Sequence, residues 1–512
     1  MSEKIMTQSE KEKSEKLLRL LFTIFSIGLG VAYLFHIWTT NGDLDYLWHT
    51  LLADYMWKYK TLPVQDYFSW RSIEMGYTEI AHSWLGSLLI GTVVRFFVNN
   101  GYTPLLGGRV FSFLSYISCL LVVRATFFRK QRLGAFPVVC LILAITYRSV
   151  RMQNISYILL VLILYVLFKS KDWKKLLALP VLMLLCANIH GGTVVLFLGV
   201  ILVYTIWQFI PKFSIGYFEH KPIENKPMKF AYVGACVFSA IAVCVNPYGW
   251  KLYTYFMHVE KDNFAAKHIV EWLPIATTML AFWIMAAILA VILLQKKTVP
   301  LLEYGILAGF FVLSWKYRRF FDYAYISSIP ILMTYEKNFA EFFSGVQLSE
   351  KKNKIVKHIK NALTVAMLSL AIILPCTELL IISVALRNTS GEVYAGGMLT
   401  DEEIEYLSEK NFQRPFNSYD VGAPLMYAGF KSFIDSRADL FVGSELEDMG
   451  KLVYQQGHTE ELDAILDKYA FDAVIVQTDA FYAFENYISS KDDWVLGYKD
   501  DKLTIYEYVG AE

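Results

Sequence analysis

Two acidic residues follow the first long apolar segment of this sequence. Asp43 and Asp45 stand in the stretch NGDLDYLWHT, a few residues past the point where the chain should leave hydrocarbon. A carboxylate near low-dielectric material can have a raised pKa and act as a base, or it can be held ionised by a nearby arginine. A base in this place could deprotonate an acceptor hydroxyl, and nearby cations could stabilise a departing phosphate.

Basic and polar side chains at the ends of other apolar segments could complete such a site. Arg148 and Arg151 are three residues apart and would share a helix face, whereas Arg318 and Arg319 form a second cationic pair. The residues that we expect to bind substrate are Arg148, Arg151, Gln153, His190, Asn188, Arg318, Arg319, His82 and Glu271.

The two acids and the arginines also have a purely structural interpretation. Aspartate is a preferred helix cap, so Asp43 and Asp45 could simply begin the helix that follows them. Arginines at a membrane edge often extend toward the headgroups without binding a ligand. The functional interpretation therefore depends on many such residues gathering on one side of the membrane.

The composition is that of a membrane protein with many spans. Of the 512 residues, 55% are hydrophobic and 19% are charged, which is far more apolar than a soluble domain. The net charge of +1 gives no broadly basic surface, so we expect no nucleic acid partner. The six cysteines all lie in apolar segments and are interpreted as small core residues.

About eleven apolar segments could cross a bilayer, whose core needs roughly 20 helical residues. The first is longer than a signal peptide and lacks a small-residue cleavage site, so we expect a retained anchor. A further segment, 83–98, is interpreted as a re-entrant or interfacial helix, with a twelfth crossing as the alternative. The predicted spans are 18–38, 104–127, 133–147, 154–169, 174–189, 192–211, 229–247, 275–295, 299–316, 319–335 and 360–386.

Lysine-rich loops set the predicted orientation, because short loops rich in lysine and arginine favour the cytoplasmic side. The loop 336–359 carries the clearest lysine cluster and precedes the last span, which places the tail 387–512 outside. Residues 1–17 then form a cytoplasmic tail, and residues 18–386 form the membrane domain. On this threading the candidate site residues collect on the outer face.

The outer loop 39–82 contains an amphipathic segment, DLDYLWHTLLADYMWKY. Leucines and tyrosines recur in it at three- and four-residue steps, and Trp48 and Trp57 suit the headgroup layer. We predict a helix that lies flat on the outer surface. Its apolar face is expected to consist of Leu47, Leu51, Leu52, Tyr55 and Tyr59.

The polar tail reads as an α/β domain. We expect a strand at 431–437 (KSFIDSR), a helix at 460–470, a buried strand at 472–478, a helix near 480–490, and then a strand pair with a turn at Asp500 and Asp501. The tail has no glycine-rich phosphate loop, Ser-His-Asp signature or metal-spaced Cys/His set. Its run Asp435, Arg437 and Asp439 is interpreted as a structural ion pair rather than a catalytic group.

Motifs across nearly the whole chain resemble those of bacterial GT-C membrane glycosyltransferases, the relatives of protein O-mannosyltransferases and aminoarabinose transferases. The resemblance begins in the outer loop with GDLDYLWHTLLADYMWKYKTLPVQDYFSW and HSWLGSLL. It continues through RMQNISYIL, NIHGG, VNPYGWKLY, HIVEWLP and YRRFFDYAYISSIPIL, and ends in the tail with PFNSYDVGAPLMY and SFIDSRADLF.

This resemblance implies an enzyme that takes a sugar from a polyprenyl-phosphate carrier on the outer leaflet of the bacterial cytoplasmic membrane. Transfer would invert the sugar carbon and use no nucleotide sugar. The acceptor would be a cell-surface glycan, a glycolipid or a protein. No cofactor is expected to be required, and a divalent metal remains an alternative. The family's acid maps onto Asp43, with Asp45 as the competing choice, and its phosphate-binding arginines map onto Arg148, Arg151, Arg318 and Arg319.

Three other functions stay open. A transporter or flippase of lipid-linked sugars would want charges midway through its spans and internal repeats, and no such repeat is found. An O-antigen polymerase or ligase usually carries its large loop late in the chain. A non-catalytic scaffold of envelope assembly would use the tail to bind a partner.

Overall fold

A computed structural model describes residues 44–78, 80–127, 139, 142–143, 146–147, 149–216, 218–254, 272–274, 299–344, 398–441, 444–454 and 459–510. The residues before 345 form mainly helices, many of them apolar. In chain order these are α1 Asp45–Tyr59, α2 Trp70–Met75, α3 Trp84–Asn99, α4 Pro104–Thr126, α5 Gln153–Lys169, α6 Trp173–Leu176, α7 Ala178–Ile189, α8 Val194–Trp207, α9 Lys226–Val243, α10 Leu301–Lys316 and α11 Phe321–Ser344. Short 3-10 turns at Gly191–Thr193 and Arg318–Phe320 lead into α8 and α11.

Several predicted spans coincide with these helices. The span 104–127 is α4, 154–169 is α5, 229–247 overlaps α9, and 299–316 is α10. By length and composition, α4 and α9 are long and apolar enough to cross a membrane, and α3, α5 and Gly191–Trp207 are shorter apolar helices. The predicted spans 18–38, 275–295 and 360–386, and most of 133–147, lie outside the described residues, so the count of eleven remains a prediction.

The helix predicted in the outer loop is present as α1, but the face it buries differs from the prediction. Leu47 and Leu52 are buried as expected, whereas Tyr59 is 54% exposed. The buried side also includes His49, Thr50 and Ala53, which pack against α3. Small residues make this possible, because a Cβ added at Gly91 of α3 would meet Ala53 and the backbone of residues 49 and 50. The helix pair therefore brings polar groups of α1 into the protein interior.

The C-terminal region combines short helices with a four-stranded sheet. Its helices are α12 Asp401–Lys410, α13 Tyr419–Tyr427, α14 Ser444–Tyr454, α15 Thr459–Tyr469 and α16 Tyr482–Ser489. Its strands are β4 Pro415–Asn417, β5 Ala473–Gln477, β6 Trp494–Lys499 and β7 Leu503–Tyr508, following a small three-stranded sheet of β1 Phe213–Ile215, β2 Phe218–His220 and β3 Val299–Pro300.

The four-stranded sheet has the order β4-β5-β7-β6, with β4 parallel to β5 and the other pairs antiparallel. The helix predicted at 460–470 is α15, the buried strand at 472–478 is β5, and the predicted strand pair is β6 with β7. The first four residues of β5 are all buried. A central strand covered on both faces is continuously apolar, which is why the apolar run in the sequence predicted this strand.

The predicted strand at 431–437 is wrong. This segment forms a single isolated bridge, from Ser432 to Ser69 of the outer loop, and joins no sheet. Its backbone groups bond to side chains instead: the Asn417 amide accepts from Phe433 N at 2.7 Å and donates to Ile434 O at 2.9 Å. The apolar pattern indicated burial correctly, but the segment is buried by the core of the C-terminal region and by Trp70 of the outer loop rather than by a sheet.

Candidate functional site

Asp45 is the first residue of α1, and it lies near Arg151. The Nε atom of Arg151 is 3.7 Å from Oδ2 of Asp45, and about a quarter of each side chain is exposed (23% and 24%). The N-cap of α1 is Leu44, with no side-chain hydrogen bond to the first turn. Asp45 therefore does not serve as the helix cap. The positive end of the α1 dipole stabilises a negative charge on Asp45, and the Arg151 guanidinium lies nearby.

The start of α4 packs against the residues next to Asp45 and Arg151. A Cβ added at Gly108 would lie 2.9 Å from Val150, which precedes Arg151, and 3.4 Å from the ring of Tyr46, which follows Asp45. The next residue, Arg109, is buried at 5% exposure. Burial and the neighbouring Tyr427 raise the pKa of the Tyr46 hydroxyl, and the nearby Arg109 charge opposes them.

Arg109 is absent from the site residues expected from the sequence. The signal that could have found it is a charged residue inside an apolar segment, since such residues are costly in a membrane unless they serve a ligand or a partner. It brings a cation close to Tyr46, the residue that follows Asp45 on α1.

His190 and His82 meet through the turn after α7. The Gly191 N–H donates to the His82 carbonyl at 3.2 Å, and a Cβ at Gly191 would lie 3.0 Å from the same oxygen. This close approach explains the glycine that follows His190 in NIHGG. The His190 ring is buried, with Nδ1 2.8 Å from the Ser156 hydroxyl. Two residues far apart in sequence are thereby held side by side.

The charges around these histidines favour their neutral forms. Burial lowers the pKa of His190 well below its ordinary value, and His82, Arg319 and Arg151 act in the same direction. Burial also lowers the pKa of His82; Asp439 opposes this effect and Arg319 adds to it. The His82 Nδ1 atom is 3.8 Å from Oδ2 of Asp439, a residue of the C-terminal region. At neutral pH both rings therefore serve as neutral hydrogen-bonding groups.

Arg318 and Arg319 occupy the 3-10 turn before α11. The Arg318 N–H donates to the Leu273 carbonyl at 2.9 Å, which fixes the turn against the preceding loop. The Arg319 guanidinium lies over the Trp272 ring, with its Cζ 4.7 Å from the ring centroid. The Arg319 charge acts on both His82 and His190, which places this arginine near the two histidines.

Asn188 and Gln153 have different surroundings. The Asn188 side chain accepts from Trp84 Nε1 at 2.8 Å and donates to the carbonyls of Leu184 and Val245 at 2.8 and 2.9 Å. These bonds join α3, α7 and the end of α9, which gives Asn188 a structural role. Gln153 begins α5, two residues after Arg151. A substrate contact at either residue remains a prediction.

Three candidates lie outside the described residues: Asp43, Arg148 and Glu271. Within the described part of the chain, no three His, Cys, Asp or Glu side chains gather in a way that could hold a metal ion. The candidate site consists of Asp45, Arg109, Arg151, His190, His82 and Arg319, contributed by six separate chain segments.

Comparisons with known proteins give fold matches to solved structures. No family model and no curated protein matches the sequence. The oligosaccharyltransferase of Archaeoglobus fulgidus, tethered to an acceptor peptide containing the NVT sequon, matches with a TM-score of 0.50 and 12% identity over 97% of this chain and 74% of its own. The arabinofuranosyltransferase AftD from Mycobacteria matches with a TM-score of 0.50 and 11% identity over 100% of this chain and 42% of its own.

A third structure, ArnT from Cupriavidus metallidurans bound to undecaprenyl phosphate, matches with a TM-score of 0.47 and 10% identity over 95% of this chain and 98% of its own. The fold assignment rests on the first two. Both are glycosyltransferases of the GT-C type. This chain is therefore similar in fold to these GT-C proteins, as the resemblance of its motifs predicts, and the number of membrane spans remains a prediction.

Proposed function

We propose that this protein is a membrane glycosyltransferase that moves a sugar from a polyprenyl-phosphate carrier to an acceptor at the outer surface of the cytoplasmic membrane. The observation that carries the proposal is the gathering of Asp45 and Arg151 with His190, His82 and Arg319. A carboxylate beside one arginine, with a second arginine near the neighbouring histidines, matches the needs of sugar transfer from a phosphate.

The proposed reaction is one inverting displacement. An acid of the outer loop, Asp43 or Asp45, removes the proton from an acceptor hydroxyl while the hydroxyl oxygen bonds to the sugar carbon. The bond between that carbon and the phosphate oxygen breaks, and the electron pair leaves with the polyprenyl phosphate. Arg151 and Arg319, together with Arg148 and Arg318, stabilise the negative charge that develops on the phosphate.

The topology we propose is the one the loop charges favour. Eleven spans carry the chain across the bilayer, with residues 1–17 inside and the C-terminal α/β domain outside. The acceptor is a glycan, a glycolipid or a protein. This arrangement places the site where a lipid phosphate on the outer leaflet can reach it. No cofactor is required for the displacement as written, and a divalent metal at the phosphate is an alternative.

The test is sugar transfer by the full chain in lipid vesicles, with a polyprenyl-phosphate sugar as donor. Asp43→Asn and Asp45→Asn are compared with Asp54→Asn, which changes an acid on the same helix that pairs with Arg95 instead. We expect one of the first two variants to lose about 100-fold or more of the transfer rate, the scale of a lost general base. The Asp54 variant should stay within about two-fold.

Full activity in both the Asp43 and Asp45 variants would remove the proposed mechanism. A wild-type protein that moves the lipid-linked sugar across the bilayer without transferring it would favour the flippase instead. A folded protein with neither activity would favour the scaffold.

A further inference from the structure

Two buried histidines beside the site are each fixed by a serine from another helix. His49 Nδ1 lies 2.8 Å from the Ser87 hydroxyl of α3, and His190 Nδ1 lies 2.8 Å from the Ser156 hydroxyl of α5. All four side chains are buried. The two contacts look alike, but the second hydrogen-bonding partner of each serine differs.

Ser87 Oγ also lies 3.1 Å from the Ser83 carbonyl, which can only accept. A hydroxyl hydrogen directed to that carbonyl leaves Ser87 as an acceptor toward His49. His49 must then carry its hydrogen on Nδ1, which leaves a lone pair on Nε2. The ring is therefore a hydrogen-bond acceptor on its other edge.

Ser156 has the opposite arrangement. Among the described residues, His190 Nδ1 is the one acceptor found for its hydroxyl. A Ser156 hydroxyl that donates along this contact makes Nδ1 the acceptor and places the hydrogen of the neutral His190 ring on Nε2. The ring is then a hydrogen-bond donor on its other edge.

The packing places both rings next to the proposed site. His49 is one turn after Asp45 on α1, so the two side chains share a helix face. Ser87 follows Gly86, where an added Cβ would lie 2.5 Å from the sulfur of Met152 and would also meet the Ile189 carbonyl. Met152 follows Arg151 in the chain, and Ile189 precedes His190, so Ser87 lies near both site residues. The electrostatic influence of His190 and His82 on His49 agrees with this closeness.

We propose that His49 is a further residue of the site and that Ser87 and Ser156 are positioning residues that set opposite tautomers of the two histidines. His49 Nε2 accepts a hydrogen bond from a carbohydrate hydroxyl, and His190 Nε2–H donates to an oxygen of the donor phosphate. The ligands named rest on the proposed function, whereas the tautomers do not.

The tautomers are tested by solid-state NMR of the full chain in lipid bilayers with 15N-labelled histidine. The two residues are assigned among the nine histidines by the signals lost in His49→Gln and His190→Gln. We expect Nδ1 of His49 and Nε2 of His190 to be protonated. The other ring nitrogen of each residue should be unprotonated. Finding the same tautomer at both residues, or a charged ring at neutral pH, would overturn the assignment.

The roles are tested by transfer kinetics. Glutamine places an amide near the position of Nε2, so His49→Gln should keep about ten-fold more activity than His49→Asn, as expected for one hydrogen bond. A rise in KM for the acceptor would assign the hydroxyl to the acceptor, and a rise in KM for the donor would assign it to the donor sugar. Ser87→Ala should shift the His49 tautomer and lower kcat, while leaving the His190 signals unchanged.

Equal activity of the Gln and Asn variants would contradict the role given to His49. A wild-type chain without transfer activity would instead refute the proposed function, and the NMR result would still decide the tautomers.

Discussion

Two sets of acids and arginines in this protein pair the same charged groups but differ in distance and burial. In the first set, which we call the clamp, Arg437 donates to Asp66 of the outer loop at 2.7 Å and to both oxygens of Asp435 at 2.8 and 2.7 Å. All three side chains are almost fully buried. In the second set, at the site, Arg151 and Asp45 are 3.7 Å apart and about a quarter exposed.

We interpret this difference in burial and distance as the difference between a structural ion pair and a pair that could bind a ligand. Buried charges need every partner supplied by the protein, so a saturated pair such as the clamp can hold two segments together but has no capacity for a ligand. A longer, partly exposed pair loses less hydration free energy on folding, and its side chains can rearrange around a phosphate or a hydroxyl. The sequence interpretation of Asp435 and Arg437 as an ion pair is confirmed, with Asp66 as the partner it did not identify.

The clamp joins the outer loop to the C-terminal region together with several weaker contacts. Ser69 donates to the Phe433 carbonyl at 2.7 Å, and Trp70 Nε1 donates to the Pro415 carbonyl at 3.0 Å. The Trp70 ring packs within the core of the C-terminal region. The loop that begins near the candidate acids is thus fixed at its far end by the C-terminal region.

The largest expected effect comes from breaking the clamp. Arg437→Leu leaves two buried carboxylates without their guanidinium, which typically costs about 3–5 kcal/mol of unfolding free energy. Limited proteolysis and denaturant unfolding of the full chain should show early release of the C-terminal region. Unchanged resistance in this variant would show that the clamp is not what holds the two segments together.

The second prediction removes the arginine of the site. Arg151→Gln should lower sugar transfer by about 100-fold to 1,000-fold, the effect of removing one donor to a developing charge, with only a small loss of stability. The matched control is Arg124→Gln, an exposed arginine at the far end of α4. If both variants transfer sugar equally well, Arg151 has no role at the phosphate.

The third prediction uses pH to distinguish the two sets. Burial alone would raise the pKa of Asp66, but the Arg437 charge and hydrogen bonds from Arg437, Ser72 and Ser69 hold it below its ordinary value. A lowered acid pKa stabilises the fold above the unfolded value of about 3.9 and loses that effect only at lower pH. The clamp should therefore survive at pH 5.

The histidines of the site behave in the opposite sense over the same range. The pKa values of His49, His82 and His190 are lowered mainly by burial, so below the unfolded value of about 6.5 the unfolded chain binds protons that the native site resists. Thermal unfolding of the full chain should show stability falling from pH 7.5 to 5.5, and less steeply in His190→Gln. Equal slopes for the variant and the wild type would contradict a buried neutral His190.

The smallest effect should come from an exposed ion pair beside the clamp. Glu74 contacts Arg71 at 2.8 Å and Arg414 at 3.1 Å, with 42% of its side chain exposed. Glu74→Gln should change the unfolding free energy by no more than about 1 kcal/mol, because solvent screens such pairs. A loss as large as that of Arg437→Leu would mean that burial does not explain the strength of the clamp.

How far the sequence could predict the structure depended on where each contact partner lies in the chain. Local patterns were enough for α1, α4, α5 and β5, since an amphipathic or continuous apolar run reports its own burial. The motifs also predicted the GT-C fold. The pairing of Asp45 with Arg151, and of His190 with His82, joins segments more than 100 residues apart, which no local pattern specifies.

The residues that sequence reasoning missed share this cause. Arg109 stands in an apolar segment whose neighbours become known only when α4 packs against α1, and His49 reads as part of a surface helix until α3 covers it. The segment 431–437 has the composition of a strand, yet its hydrogen-bond partners come from Asn417 and the outer loop rather than from a sheet edge.

The most direct test of the account is a cryo-EM map of the full chain with a bound polyprenyl phosphate. We expect phosphate density within hydrogen-bond distance of the Arg151 guanidinium, on the side of that residue where Asp45 and His190 lie. Phosphate density at the opposite ends of the helices, for example beside Trp173 at the start of α6, would contradict the account.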